Sequence, residues 1–360
     1  MLNTYYFDAA AHEPPSPAAV KAFTRALPLG NPSALHACGV AAKIALEEAR
    51  ASIAQDLNCL PEEVYFTSGA TEACNWMMET LEAFCTHIKF PRHYEHHAVL
   101  EYPPVDHPHR TNRTGFTHML ANNETGEIYD ILSIRRNEPD ALFAACDATA
   151  AVGQIPVDFK ALGVDYLAFG AHKFGGISGI GCLIVKKGTP LISMIRGGGQ
   201  EWGKRGGTES VALACAMAAA LHERTNKMLI GMQQIALCRD LLITNLFRFV
   251  PDTYVNGPYT PGDVVLRLPG NANLSFLGVE SQALVMALSA EGVYVSSSSA
   301  CTSGEADGSY VLRAMGYPAN RARSAVRFTL PYTVTVDDVL GAVPLIVSAV
   351  ENLRRLTPTP

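Results

Sequence analysis

The feature that most constrains this chain is an alternation of short apolar runs with helical stripes. Val64-Tyr65-Phe66, Leu142–Cys146, Tyr166–Phe169 and Cys182–Val185 each read as a buried strand. Between them lie helix-like patterns, such as Val40–Leu57, where Ile44, Leu46, Ile53 and Leu57 interleave with Glu47, Glu48 and Arg50. A long helical pattern fills roughly Val211 to Phe247. Strands and helices alternating at these lengths predict an open α/β sheet, mainly parallel, with helices on both faces. The last third changes character. Ala272–Phe276, Val293–Ser296 and Arg323–Leu330 read as strands, with helices over Glu280–Ala290 and Val336–Leu353, an α+β appendage beginning near residue 230.

A length of 360 residues suits two domains, and 48% hydrophobic with 17% charged residues excludes a disordered or coiled-coil chain. Lys+Arg of 28 against Asp+Glu of 34 leaves a net charge of −6 without long like-charge runs, so no direct nucleic-acid or anionic-membrane surface is expected. The longest apolar stretch, Val211 to Leu221, is too short to span a bilayer, and residues 1–6 lack the pattern of a signal peptide. The nine cysteines are odd in number and contain no CxxC pair, which argues against a zinc site and a disulfide framework. The expectation is a cytoplasmic protein with reduced thiols, mostly packed in the core. Cys301 stands apart in Ser296–Gly304, a small, polar stretch suited to an accessible, reactive thiol.

Three motifs carry chemistry. Ser68-Gly69-Ala70-Thr71-Glu72 turns from a strand into a helix and can present backbone N–H groups to an anion, though an ordinary helix cap would look the same. Cys146-Asp147-Ala148-Thr149 puts a carboxylate at the end of a buried strand, where α/β sheets bind ligands. Twenty-six residues on, Lys173 follows Gly170-Ala171-His172 among small residues. A desolvated lysine loses its proton readily and can condense with a carbonyl. An anion cradle, an aspartate for a pyridinium nitrogen and a lysine for an aldehyde are together what pyridoxal phosphate requires.

With these motifs in this order, the sequence resembles the cysteine desulfurases of the NifS/IscS type, in the class V aminotransferase group of fold-type I pyridoxal-phosphate enzymes. Further motifs support the resemblance: Phe7-Asp8-Ala9-Ala10-Ala11, Gly30-Asn31-Pro32-Ser33, Glu95-His96-His97-Ala98-Val99, Asn122–Gly126, Arg205-Gly206-Gly207-Thr208, Ser299–Ser303 and Val326-Arg327-Phe328. The resemblance implies a large cofactor-binding domain over 13–230. It also implies a small domain made of 1–12 and 231–360, carrying the Cys301 loop and Arg327. It implies that Lys173 holds the cofactor and shuttles protons, Asp147 keeps the ring nitrogen protonated, and His96 stacks on the ring and takes part in proton transfer. Ala70, Thr71 and His172 would hold the phosphate, with Thr208 reaching across from the second subunit of a homodimer. Asn123 and Arg327 would bind the carboxylate of L-cysteine. Cys301 would take the sulfur as a persulfide for a sulfur-acceptor protein, leaving L-alanine.

Three departures from that pattern stand out. Ala150 replaces a glutamine that usually bonds the cofactor ring hydroxyl, and Gly170 replaces a serine that usually helps to bind the phosphate. Each loses one polar contact, about 1 kcal/mol net. Only 26 residues separate His96 from Asn123, and Pro103, Pro104 and Pro108 break helices there. A strand–helix–strand excursion is therefore expected to be missing, leaving surface for a dedicated partner.

The same region holds seven of the eleven histidines: His87, His93, His96, His97, His107, His109 and His118. Without zincin spacing they are expected to be one cofactor-stacking histidine plus solvated ones, with no metal. Two alternatives to the desulfurase reading stay open. One is a lyase releasing sulfide or selenide, including from selenocysteine, for which Cys301 is dispensable. The other is a non-catalytic scaffold keeping the fold.

Overall fold

A computed structural model describes residues 4–91, 94–102, 113–297 and 308–356. The chain divides into two compact units, one of Glu13–Leu120 with Tyr129–Met228 and the other of Met1–His12, Ala121–Ile128 and Leu229–Pro360. The first, larger unit is built on six strands: β1 (Val64–Thr67), β2 (His87–Lys89), β3 (Thr114–Thr117), β4 (Ala141–Asp147), β5 (Tyr166–Gly170) and β6 (Gly181–Val185). Their spatial order is β1-β6-β5-β4-β3-β2. The β5–β4, β4–β3 and β3–β2 pairs are parallel, whereas β6 runs antiparallel to both β5 and β1. Five strands thus point one way, and their carboxyl ends share one edge of the sheet. Strands β5 and β6 are wholly buried and β4 is buried over Ala144–Asp147, which is why they are continuous apolar runs rather than alternating ones.

Helices α1 (Ala37–Asp56) and α2 (Ala70–Phe84) belong to this unit, as does the first half of α3 (Val211–Phe249). Helix α2 buries Ala73, Cys74, Trp76, Met77 and Leu81 against Tyr166, Ala168 and Leu183 of the sheet. Its apolar positions at i, i+3, i+4 and i+8 form the stripe that this packing needs. It starts directly after β1, and the connection is tight. A Cβ on Gly181 would lie 2.5 Å from the carbonyl carbon of Gly69. Only glycine permits that approach.

The second unit has an antiparallel sheet of β7 (Thr253–Val255), β8 (Asn271–Phe276), β9 (Ser296–Ser297) and β10 (Ala325–Thr329), in the order β9-β10-β8-β7. Helices α4 (Ser281–Ala290) and α5 (Val336–Leu356) cover it, closing a core that includes Phe276, Leu284, Phe328, Val339 and Ile346. Tyr5–Tyr6 pairs in parallel with Val293–Tyr294, tying the start of the chain to this unit.

The described part of the interval between His96 and Asn123 contains a four-residue helix, His97–Leu100, and strand β3. Residues 103–112, with His107 and His109, lie outside the described residues, as do His93 and Cys301. Short strands β2 and β7 escape the sequence pattern because their burial is only partial and they span three residues each. Of the eight cysteines described, all are free; six are buried, Cys215 is half-buried, and Cys38 is exposed rather than packed.

Candidate active site

The larger unit gathers its polar residues where the parallel strands end. Strand β1 gives way through Ser68 and Gly69 to α2, whose first residues are Ala70 and Thr71. Gly69 provides no side-chain cap, so the leading N–H groups of a 15-residue helix have no internal acceptor. Glu72 curls back instead to accept from the Ser68 N–H at 2.7 Å, while Arg205 donates to it from Nε at 2.9 Å and from a terminal nitrogen at 3.2 Å. Burial would push the Glu72 carboxyl up, but these bonds hold it below the ordinary glutamate range. Gly170, at the end of β5, faces the same turn. A Cβ there would stand 3.1 Å from the Ala70 nitrogen and 3.3 Å from Nδ1 of His172. The absent serine thus leaves Gly170 packed closely against one backbone donor and one imidazole.

Asp147 closes β4, buried, and its Oδ1 accepts from the Thr149 N–H at 2.9 Å. The Thr149 hydroxyl is buried with no hydrogen-bond partner among the described residues. His96 caps the helix His97–Leu100, its Nδ1 accepting from the Ala98 N–H at 3.1 Å. That bond leaves the proton of the neutral ring on Nε2. Burial lowers the His96 pKa; the Asp147 carboxylate opposes this, while the Lys173 and His97 charges add to it. His96 therefore lies close enough to Asp147 and Lys173 to sense their charges. Glu95, which the motif reading passed over, is fully buried, accepts from the Met119 N–H at 2.7 Å, and is pushed well above the usual carboxyl range by desolvation and by Asp147.

Lys173 follows β5 in a one-turn 3₁₀ helix, Ala171–Lys173. Three successive carbonyls here are held from outside. The Glu13 N–H donates to His172 at 2.8 Å, the Gln154 amide to Lys173 at 2.7 Å, and Arg224 Nε to Phe174 at 3.2 Å. The backbone carrying the amine is thereby fixed. Thr208 lines a small cavity with Thr67, Ser68 and Arg205 of its own chain.

The smaller unit brings together Asn123, Arg327 and Asp8. From β10, Arg327 donates one terminal nitrogen to the Asn123 carbonyl and the other to Asp8 Oδ1, both at 3.0 Å. Its Nε, and Oδ1 of Asn123, are buried without partners among the described residues. A guanidinium aimed in this way and left with a vacant Nε edge can receive a carboxylate by two parallel bonds. Asp8 enters the sequence reading only as part of a motif, because its partner is 319 positions away.

These residues fit pyridoxal phosphate. An uncapped helix start with the His172 imidazole beside it suits a phosphate, the unpartnered Thr149 hydroxyl and the Asp147 carboxylate suit a polar ring, and a lysine on a fixed turn suits an aldehyde. Among the described residues, no cluster of histidine, cysteine and carboxylate side chains could hold a metal.

Such a site on such a sheet defines a fold-type I pyridoxal-phosphate enzyme, and residues 5–102 and 108–340 match the family Aminotransferase class-V, to which this chain belongs. Within it the likeness is to the cysteine desulfurases. Cysteine desulfurase IscS of Dictyoglomus turgidum is 36% identical, over 91% of this chain and 89% of that one. A solved NifS-like protein superimposes with a TM-score of 0.86 at 28% identity, covering 97% of this chain and all of the other. The structure titled SspA in complex with cysteine gives a TM-score of 0.75 at 26% identity, over 92% of this chain and 100% of that one.

Proposed function

We propose that the chain desulfurates L-cysteine with pyridoxal phosphate held at the residues described above, and passes the sulfur to an acceptor protein through Cys301. The observation that carries this reading is the aimed Arg327 guanidinium with its vacant Nε edge beside Asn123, a receptor for an amino-acid carboxylate in a chain of this family. Bound cofactor supplies an aldehyde for the substrate amine and a ring that accepts electrons. Ala70, Thr71 and His172 would hold its phosphate and Asp147 its ring nitrogen. Lys173 would provide the amine and move protons. The neutral His96, with its proton on Nε2, would stack on the ring and serve as a proton carrier. The Cys301 thiolate would attack the substrate sulfur, forming an S–S bond as the C–S bond breaks and its electron pair stays on carbon, which is then protonated to give L-alanine.

A homodimer in which Thr208 completes the partner's phosphate site belongs to the same reading, as do a large domain over 13–230 and a small one of 1–12 and 231–360, except that Ala121–Ile128, with Asn123, groups with the smaller unit. A cytoplasmic location agrees with the free cysteines described. Among the described residues, no helix is long and apolar enough to cross a membrane.

The test is to measure alanine and protein-bound persulfide separately. Cys301→Ala should abolish both from L-cysteine while leaving the visible absorbance of bound cofactor intact, and Lys173→Ala should lose that absorbance. Sulfide and alanine released at the wild-type rate by Cys301→Ala, with a thiol reductant in the assay supplying the two electrons, would establish a lyase instead. A wild-type chain that binds no cofactor would establish a scaffold.

A further inference from the structure

The glycine-rich segment between Met194 and Thr208 forms a loop with a closed neck. The Gly206 N–H donates to the Ile195 carbonyl at 2.7 Å, and a Cβ on Gly206 would lie 2.7 Å from Gly197 Cα. At the tip, Glu201 and Trp202 have φ of 45° and 52°, followed by Gly203 at 75°. Two consecutive side-chain-bearing residues in left-handed backbone are strained and persist only where surrounding contacts fix them.

The contacts that fix them are specific. Arg50, from α1, makes a two-pronged pair with Glu201 at 2.9 and 3.0 Å, with side chains 3% and 1% exposed. Its guanidinium lies 4.8 Å from the Phe66 ring centre and 4.6 Å from that of Trp202. A buried ion pair is a poor source of stability, since apolar residues of similar volume do as well, but it specifies geometry closely. The carboxylate of Glu201 also accepts from the Phe66 N–H at 3.0 Å. Four residues on, Arg205 grips Glu72, which holds the Ser68 N–H. The loop therefore seizes the β1–α2 connection at Phe66 and at Glu72. Between those points lie Thr67 to Thr71, the turn whose Ala70 nitrogen lies beside Gly170 and the His172 imidazole.

We propose that Glu201 and Arg205, anchored by Arg50, are positioning residues that set the spacing of the Gly69–Thr71 amides for a phosphate monoester. They would thereby give the site its preference for pyridoxal phosphate over unphosphorylated pyridoxal. This rests on the reading that the phosphate sits at the start of α2.

The experiment titrates the full chain, stripped of cofactor, with pyridoxal phosphate and separately with pyridoxal, following visible absorbance. Glu201→Gln should weaken pyridoxal phosphate about tenfold, the loss of roughly one charge-assisted interaction, while pyridoxal binds as it does to the wild type. Arg205→Lys keeps the charge on a partly exposed side chain and loses the fork, so it tests the same point if Glu201→Gln does not fold; a smaller loss confined to pyridoxal phosphate is expected. Equal weakening of both ligands, or of neither, in whichever variant folds would overturn the inference. A wild-type chain without preference for the phosphorylated ligand would overturn the phosphate-site reading and this inference with it.

Discussion

Gln154 donates its side-chain amide to the backbone carbonyl of Lys173 at 2.7 Å. The contact lies between the Glu13 bond to the His172 carbonyl and the Arg224 bond to the Phe174 carbonyl, so the turn that presents the amine is held at three consecutive peptides. A lysine that must meet a fixed carbonyl gains more from a rigid backbone than from stiffness of its own long side chain.

Gln154→Ala leaves the Lys173 carbonyl without this donor, a loss of about 1–3 kcal/mol where burial keeps water away. Urea unfolding should register a destabilisation of that order, and turnover should fall about tenfold if the misplacement reaches the amine. Turnover at the wild-type level in a measurably destabilised variant would show that the contact serves stability alone.

Arg327 and Asn123 make a pair whose parts can be separated. The guanidinium binds the carbonyl of Asn123, not its amide, so Asn123→Ala removes the side chain and leaves Arg327 anchored. The expected result is a KM for L-cysteine raised about fivefold, one hydrogen bond's worth. Arg327→Lys keeps the charge but gives up the two-pronged geometry and the Asp8 contact, and should raise KM about tenfold or more, with kcat changing less. Steady-state kinetics decides, and a kcat loss at unchanged KM in either variant would remove substrate binding from that residue's role.

Much of this architecture was legible in the sequence because the buried strands β4, β5 and β6 must be apolar on both faces. Asp147, His172 and Lys173 were legible for a related reason: a polar residue just beyond such a run sits at the strand's carboxyl end. Partners distant in sequence were not. Glu201 meets Arg50 across 151 positions and Arg205 meets Glu72 across 133. No local periodicity encodes such pairs. Glu95 was hidden differently, since it reads as one more motif residue until burial beside Asp147 makes it unusual.

His96 and His118 are both half-buried with pKa values below that of free histidine, His96 through desolvation partly offset by Asp147, and His118 through desolvation partly offset by its bond to the Met119 carbonyl. The unfolded chain therefore takes up protons first, at about pH 6.5. Stability should be fully expressed above that pH and decline as pH falls through and below it, as measured by urea midpoints between about pH 5 and 8. His118→Gln should flatten part of that decline. For His96, protonation must also break the Ala98 bond to Nδ1, so the acid limb of kcat/KM should fall below the usual histidine value and vanish from the residual activity of His96→Gln.

Glu95 gives the opposite sign. Its folded pKa is raised well above the unfolded value by desolvation and by the neighbouring Asp147, so the folded chain retains a proton that the unfolded chain has released. Its contribution is fully present below about pH 4.3 and is lost as pH rises towards the raised folded value. Across the neutral range the group costs stability, and the neutral amide of Glu95→Gln avoids that cost while its oxygen still accepts from the Met119 N–H. The variant is expected to unfold at a higher urea concentration than the wild type at pH 8, with the advantage shrinking towards pH 5. A variant less stable than the wild type at both pH values would show that Glu95 is held as a carboxylate by a partner stronger than its surroundings suggest. Cofactor absorbance in the same samples separates the two roles available to it. If Glu95 acts only through its proton, Glu95→Gln should hold pyridoxal phosphate with wild-type affinity; a loss of affinity at unchanged stability would place the carboxyl in the grip on Asp147.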